Sequence, residues 1–230
     1  GVMLSSAAKE YLKVYGVLVG KKPIIFTNND SGYETAIEFK KNGIDPIILD
    51  TRKEANSEII KEAKELNINI KFSYVVVAAK GYKKVNSADI AKISEDKKSI
   101  TNIENIKCDC ICVSGFWTPT IHLASQSGNK TKFNEEIDAF IPNQSKQKET
   151  TLGAANGVFT LEETLKTSFE KGSELSKQIT NKENKVSVPT VVEKKSSNHD
   201  KFWCVPLPKG KSYKRFLDFQ NDVAVSDIEI

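Results

Sequence analysis

An α/β fold, with an antiparallel meander laid on a parallel sheet, is what this sequence predicts. Three observations carry that expectation. The stretch Lys22 to Arg52 reads as strand, tight turn, helix and strand. A further helix and a run of short strands follow, as far as Val113. A long helix, fed by a loop of small residues, starts near Thr160.

Taken in order, Gly1 to Gly16 predicts a helix that Ser5 or Ser6 caps, with Leu4, Ala8, Tyr11, Leu12 and Tyr15 on one broad face and Gly16 as the stop. Pro23 to Thr27 is a short apolar run with the length of a buried strand. Ser31 and Glu34 have the spacing of a capping box, and Asn42-Gly43 ends the helix that follows. Ile47 to Leu49 is the second apolar run and ends in Asp50. This is the order of a dinucleotide-binding βαβ unit, with Asp50 at the ribose position, about 20 residues past the turn. The turn itself departs from that pattern. The three glycine places hold Thr27, Asn29 and Gly32, so only the glycine that lets helix and strand approach remains. A retained fold without tight cofactor binding at this turn is the favoured reading. Arg52 has the position to meet a 2′-phosphate, but a lone Arg after a strand is expected to be a solvated surface residue.

Ser57 caps the next helix, whose stripe is Ile59, Ile60, Ala63 and Leu66. Strands are then predicted at Tyr74–Ala79, Lys83–Ile93, Ser99–Ile106 and Asp109–Val113, consecutive members of a meander. Phe116-Trp117 before Pro119 reads as a loop at a sheet edge, either covering a cofactor or closing the core. Phe133 to Phe140 carries a weak helical or extended signal, and Pro142 to Glu149 is loop-like. Leu152 to Gly157 is a permissive loop that leads to Thr160 and Glu163, a second capping-box pair; Leu161, Leu165, Phe169 and Ile179 share one side of the helix beyond. Such a loop at a helix start can meet an anion or a polar ring edge, although an ordinary tight loop is the simpler reading. Lys182 to Asp200 has the composition of a linker, and Phe202 to Leu207 that of an extended segment packed on a neighbour. Lys209, Lys211, Lys214 and Arg215, with Tyr213, suit a solvated face or an acidic partner better than a phosphate backbone.

The chain has 230 residues and a formal net charge of +4, too small a balance to point to nucleic acid. No apolar run approaches the roughly 18 residues of a spanning helix, and no signal peptide is visible, so a soluble, cytoplasmic protein is expected. Cys108, Cys110 and Cys112 alternate, which on a strand puts all three on one face. With no second cysteine pair and only two His, a metal site is not expected; small buried residues in a reducing compartment are. His122 has no carboxylate or second His at an orienting distance in sequence, and is expected to be structural. No residue reads as a catalytic acid, base or nucleophile.

Several short stretches, in order, are similar to one family: GVMLSSA at 1–7, FTNNDS at 26–31, CD at 108–109 with VSG at 113–115, WTPTIHL at 117–123, SQSG at 125–128, GAANG at 153–157 and DFQNDV at 218–223. Together they resemble the alpha subunit of heterotetrameric sarcosine oxidase. The resemblance implies a two-dinucleotide-binding-domain fold (FAD/NAD(P)-binding, Rossmann-like) and an internal portion of a longer chain. Residues 1–17 and 116–180 would belong to an incomplete outer dinucleotide domain, 18–115 to an inserted second one, and 181–230 to a C-terminal connector leading to a folate-binding domain. The implied activity is oxidative demethylation of sarcosine to glycine, with formation of methylenetetrahydrofolate and hydrogen peroxide. NAD would be held without a catalytic role in the outer domain. FMN would lie at the interface with the beta subunit, FAD in the beta subunit and tetrahydrofolate on the folate domain. The partners would be the beta, gamma and delta subunits, with no nucleic acid and no membrane. By match with the family, Ala154, Phe159 and Leu161 are the expected NAD neighbours, with Gly153 and Asn156 allowing the approach. The alternatives are a related amine or opine dehydrogenase subunit, and a non-enzymatic binding module built on a decayed dinucleotide fold.

Overall fold

The structure is a computed structural model that describes residues 1–115, 117–181, 187–192, 199–208, 210, 214–218 and 221–228. Two compact units divide the chain: Gly1–Phe116 with Ser196–Ile230, and Trp117–Lys195.

The first unit is built on a five-stranded parallel sheet. Its strands are β1 (Val2–Leu4), β2 (Pro23–Thr27), β3 (Ile47–Asp50), β4 (Asn69–Phe72) and β8 (Cys110–Ser114), in the order β1-β8-β2-β3-β4. Helices α1 (Ser5–Tyr15), α2 (Ser31–Lys41) and α3 (Glu58–Glu65) connect the strands. Between β4 and β8 the chain makes an antiparallel three-stranded sheet from β5 (Tyr74–Lys80), β6 (Ser87–Ile93) and β7 (Ile100–Lys107).

The central strands are continuous apolar runs because both of their faces are covered. Ile25, Ile48, Cys110 and Cys112 point into one cluster with Ala8 of α1, Tyr33, Ala36 and Phe39 of α2, and Ile60 and Ala63 of α3. Their neighbours in sequence, Ile24, Leu49 and Ile111, point the other way and meet Ala88 and Ile90 of β6. The unit therefore has three layers: helices, parallel sheet and meander. Small residues let the helices close on one another, and Thr35 of α2, fully buried, donates its hydroxyl to the Ser5 carbonyl at 3.1 Å.

The expected meander is there, but with three strands. The fourth predicted strand, β8, leaves it and lies between β1 and β2. This also undoes the shared face of the cysteines. Cys110 and Cys112 face the helices with their sulfurs 3.7 Å apart, whereas Cys108 precedes the strand and packs with the meander side. Strand parity holds only inside the strand, and β8 starts at Cys110. All three thiols are buried and free, as a structural reading requires. Burial, with Asp109 and Cys110 adding, pushes the Cys108 thiol up to about 11. The Cys110 contact and burial together hold the Cys112 thiol protonated.

Gly1 to Gly16 is a strand and a helix rather than one helix, and β1 pairs in parallel with β8. The five-stranded sheet thus runs across the expected boundary at Val17. The predicted side-chain caps at Ser5, Ser31, Ser57 and Thr160 do not form. The glycine stop does, with Gly16 at φ 63°.

The second unit holds α4 (His122–Gln126), a hairpin of β9 (Lys130–Asn134) and β10 (Ala139–Gln144), a 3₁₀ turn at Gly153–Asn156, and α5 (Leu161–Thr180). The weak signal at Phe133–Phe140 resolves as this hairpin, with the two rings edge to face at 5.3 Å. The helix α5 has no buried residue.

The chain then returns to the first unit. Phe202 and Val205 pack on Val75, Ala91 and Ile93 of the meander, as the extended-segment reading expects. A short hairpin follows, β11 (Phe216–Asp218) with β12 (Val223–Ala224). Phe116, most of the expected linker 182–200, and Lys209, Lys211, Tyr213, Phe219 and Gln220 lie outside the described residues. Lys214 pairs with Asp222 at 3.2 Å, and Arg215 Nη1 lies 2.9 Å from Cys204 Sγ.

Candidate functional site

In a βαβ unit a dinucleotide lies outside the carboxyl ends of the strands, with its pyrophosphate on the helix N-terminus and its ribose on the acid after the second strand. Here those places are the β2–α2 turn and Asp50, and both are already engaged by the chain itself.

At the turn, Thr27 ends β2 and its hydroxyl donates to the Asn29 carbonyl at 2.8 Å. Asn29, 7% exposed, folds its side-chain amide onto the start of α2. Its Oδ1 accepts from the Ser31 amide at 2.9 Å and the Ser31 hydroxyl at 2.6 Å. Its Nδ2 donates to Asn28 Oδ1 at 2.8 Å and to the Gly115 carbonyl at 2.5 Å. Ser31 Oγ also shares a 2.7 Å hydrogen bond with Ser114 Oγ at the end of β8. One Asn side chain thus takes up the first amide of α2 and ties the turn to the end of β8. Gly32 keeps its packing role, since a Cβ there would lie 2.7 Å from Thr27 Cβ. Thr27 thus fills the space a Cβ at Gly32 would need, and Asn29 takes the Ser31 amide.

At the ribose position, Asp50 is fully buried. Tyr33 donates its hydroxyl to Asp50 Oδ2 at 2.7 Å. Arg52 Nη2 donates to the same oxygen at 2.7 Å, Arg52 Nε lies 3.0 Å from Asp50 Oδ1, and Arg52 Nη1 donates to Asp30 Oδ1 at 2.8 Å. Arg52 is 7% exposed, so the expectation of a solvated surface residue is overturned. A guanidinium flanked by two carboxylates and stacked over the Tyr33 ring at 5.9 Å can be buried because its charge is met on both sides. Burial opposes the Arg52 charge, but its hydrogen bonds to Asp50 and then Asp30 hold its pKa up. Burial, and the Asp50 charge beside it, raise that of Tyr33.

The residues expected to approach NAD are in the second unit. Gly153 is buried at φ 63°, where a Cβ would meet Thr164 Cγ2 at 3.0 Å; Gly157 closes the 3₁₀ turn at φ 83°. Ala154 is exposed, Asn156 half-buried, and Phe159 and Leu161 are 41% and 53% exposed. All five therefore sit on or beside one 3₁₀ turn and the first residue of α5. Thr160, the cap, makes no side-chain bond to the helix, and Glu162 and Glu163 stand in its first turn. Two acidic residues oppose a phosphate there, while small exposed groups suit a neutral ring or ribose edge. His122, at the start of α4, is exposed. Among the described residues no cluster of His, Cys, Asp or Glu has the arrangement of a metal site, and no helix is long and apolar enough to cross a membrane.

Sequence reasoning missed the Asp30–Arg52–Asp50 network and the contact of Asp200 with Thr51. The first had a signal: an Arg two residues past a buried strand that ends in Asp.

No protein-family model matches the chain. It is 31% identical to the sarcosine oxidase subunit alpha of Rhizobium meliloti (strain 1021) over 235 aligned residues, which covers 99% of this chain and 22% of that protein. It is 26% identical to the sarcosine oxidase subunit alpha of Corynebacterium sp. (strain P-1), covering 99% of this chain and 24% of that one. The chain thus spans less than a quarter of the length of the curated relatives it matches, and the resemblance read from its motifs is borne out. Among solved structures it is similar to the HOCl-induced flavoprotein disulfide reductase RclA of Escherichia coli, with a TM-score of 0.53, 13% identity, and cover of 78% of this chain and 39% of that one. A thioredoxin reductase from T. acidophilum gives a TM-score of 0.47 at 14% identity, over 68% of this chain and 52% of that one. With the sheets described above, the likeness to RclA bears out the FAD/NAD(P)-binding, Rossmann-like fold.

Proposed function

We propose that this chain is a cofactor-holding and scaffolding portion of a sarcosine oxidase alpha subunit and carries no catalytic residue of its own. The observation that supports the family is the match along 99% of the chain to proteins of that name. The complete assembly would oxidatively demethylate sarcosine to glycine, making methylenetetrahydrofolate and hydrogen peroxide. Its FMN would lie between alpha and beta subunits, FAD in the beta subunit and tetrahydrofolate on a folate domain. Beta, gamma and delta subunits would be its partners, in the cytoplasm.

Within this chain NAD would be held in a non-catalytic role by the second unit. Support comes from exclusion by chemistry. The β2–α2 turn has spent its donors on Asn29, and Asp50 has spent its acceptors on Tyr33 and Arg52. The loop around Gly153, Ala154 and Asn156, with Phe159 and Leu161, keeps small and exposed groups. Its acidic first turn fits a contact to a ring or ribose edge, not the pyrophosphate. We read the five-stranded sheet, including residues 1–17, as the inserted domain and the second unit as part of the outer one.

NAD titration of the full-length chain tests this assignment. Ala154→Glu is expected to weaken binding by about tenfold or more, equivalent to about 1.4 kcal/mol. Asn29→Asp, which puts a negative charge where a pyrophosphate would lie in the inserted domain, is expected to leave the affinity unchanged. The reverse pattern would move the NAD site to the β2–α2 turn.

The self-filled turn also favours a second reading, a binding module without catalytic partners. Failure of the full-length chain to bind NAD or to co-purify with a flavoprotein would select it.

A further inference from the structure

One carboxylate stands across the closed crevice, and it comes from far along the chain. Asp200 belongs to the segment that returns to the first unit, and its side chain is 12% exposed. Its amide donates to the Asn28 carbonyl at 2.8 Å, and Asn28 Nδ2 donates back to the Asp200 carbonyl at 2.9 Å. Its carboxylate accepts from Thr51 Oγ1 at 2.8 Å and pairs with Lys97 in the turn between β6 and β7. Asn28 is the first residue after β2 and Thr51 the first after β3; both are buried. Thr51 and Asn28 thus present their polar groups beyond the carboxyl ends of adjacent parallel strands, where the adenosine half of a dinucleotide would lie. Two residues on, Phe202 enters the apolar cluster of Val75, Ala91 and Ile93, and Val205 follows it.

We infer that the former nucleotide crevice serves as a docking site for the chain's own segment His199–Val205, with Asp200 as its polar anchor and Phe202 and Val205 as its apolar ones. The occupant is this segment because the pairing is reciprocal and specific. A backbone amide and carbonyl meet the two groups of Asn28, while one carboxylate meets a hydroxyl and an ammonium from two other elements. Asp200 gives both of its backbone groups to Asn28, one to its carbonyl and one to its side-chain amide, and so covers the carboxyl ends of β2 and β3. The crevice has changed its ligand from a nucleotide to a peptide in cis. This goes beyond the proposed function and rests on it in one respect, that NAD does not bind at the β2–α2 turn.

Hydrogen exchange on the full-length chain, with and without a substitution at Asp200, tests the inference. In Asp200→Ala and in Thr51→Val, peptides covering 199–205 and 28–31 are expected to exchange together, faster by about tenfold or more, as one local opening unit. Asp200→Asn, which keeps the backbone contacts and a polar head, is expected to fall between wild type and Ala. Phe202→Ala should release the same two peptides. If 199–205 speeds up while 28–31 does not, or if neither changes in any variant, the segment is merely adjacent and the docking role is overturned. A gain of NAD binding by Asp200→Ala would overturn the exchange of ligand, since the crevice would then be a working nucleotide site that the docked segment inhibits.

Discussion

The turn after β2 and the loop before α5 are both small-residue entries to a helix, yet they have opposite fates. In the first, Asn29 and Ser31 are buried or half-buried and the polar groups are consumed by hydrogen bonds within the chain. In the second, Ala154 is exposed, no side chain caps α5, and no residue of that helix is buried. The difference teaches that a nucleotide-binding architecture and a nucleotide-binding site are separable. The strands and helix persist because apolar burial holds them; the site persists only while its donors stay unspent. Asn28 to Ser31 keeps the geometry of a βαβ turn while its side chains bond one another.

The largest expected effect follows from the buried charges. Arg52→Met would leave Asp50 and Asp30 without their common partner, and the buried carboxylates should cost about 3–5 kcal/mol in chemical denaturation of the full-length chain. A loss under about 1 kcal/mol would mean that water reaches the network and the crevice is less closed than its geometry indicates.

Gly32→Ala comes next. A Cβ at 2.7 Å from Thr27 Cβ must displace the strand end or the helix, at a cost of about 1–3 kcal/mol. Thr27→Gly in the same chain should return part of that, and a double-mutant cycle checks it. Additivity would show that Gly32 matters for some other reason.

Asn29→Gly sharpens the comparison directly. It brings back the glycine of a functional turn and removes the side chain that bonds Ser31 and the Gly115 carbonyl, so stability should fall by about 0.5–1.5 kcal/mol. No new NAD site should appear in calorimetry, because Arg52 and Tyr33 still occupy Asp50. Gly153→Ala in the other loop should cost about 1–2 kcal/mol through its left-handed backbone and the contact with Thr164. It should weaken NAD binding as well, if that loop is the contact proposed.

The smallest effect is alkaline. Cys108, pushed up to about 11, and Tyr33, also raised, both keep their protons longer in the folded chain than unfolded. The stability they represent is complete below their unfolded values, about 8.5 and 10, and falls as pH rises through the folded ones. Cys108→Ala should flatten the loss between about pH 9 and pH 11, followed by denaturation at each pH.

Much of the fold was legible in the residues. β2 and β3 fall where the apolar runs stand, Gly16 and Asn42-Gly43 end their helices, and Phe202 and Val205 pack as an extended segment should. The departure of the β2–α2 turn from the glycine pattern was legible too, from Thr27 and Asn29. The serine caps were misread, because a hydroxyl at the right spacing still chooses among nearby acceptors, and Ser31 takes Asn29 and Ser114. Placing Cys108 with the other two cysteines assumed a strand longer than the one that forms.

The sequence by itself determined most of the strands and helices of the first unit, β1 excepted, and that a glycine-poor turn joins β2 to α2, since period and backbone preference act between near neighbours. Only the tertiary structure decided that β8 lies between β1 and β2, that Arg52 is buried, and that Asp200 reaches Thr51 across 149 positions. Strand order, the pairing of a buried charge and the docking of a distant segment depend on which surfaces meet after the chain collapses. No local pattern records that choice, because an Arg or Asp has the same neighbours in sequence whether it ends in solvent or in a core.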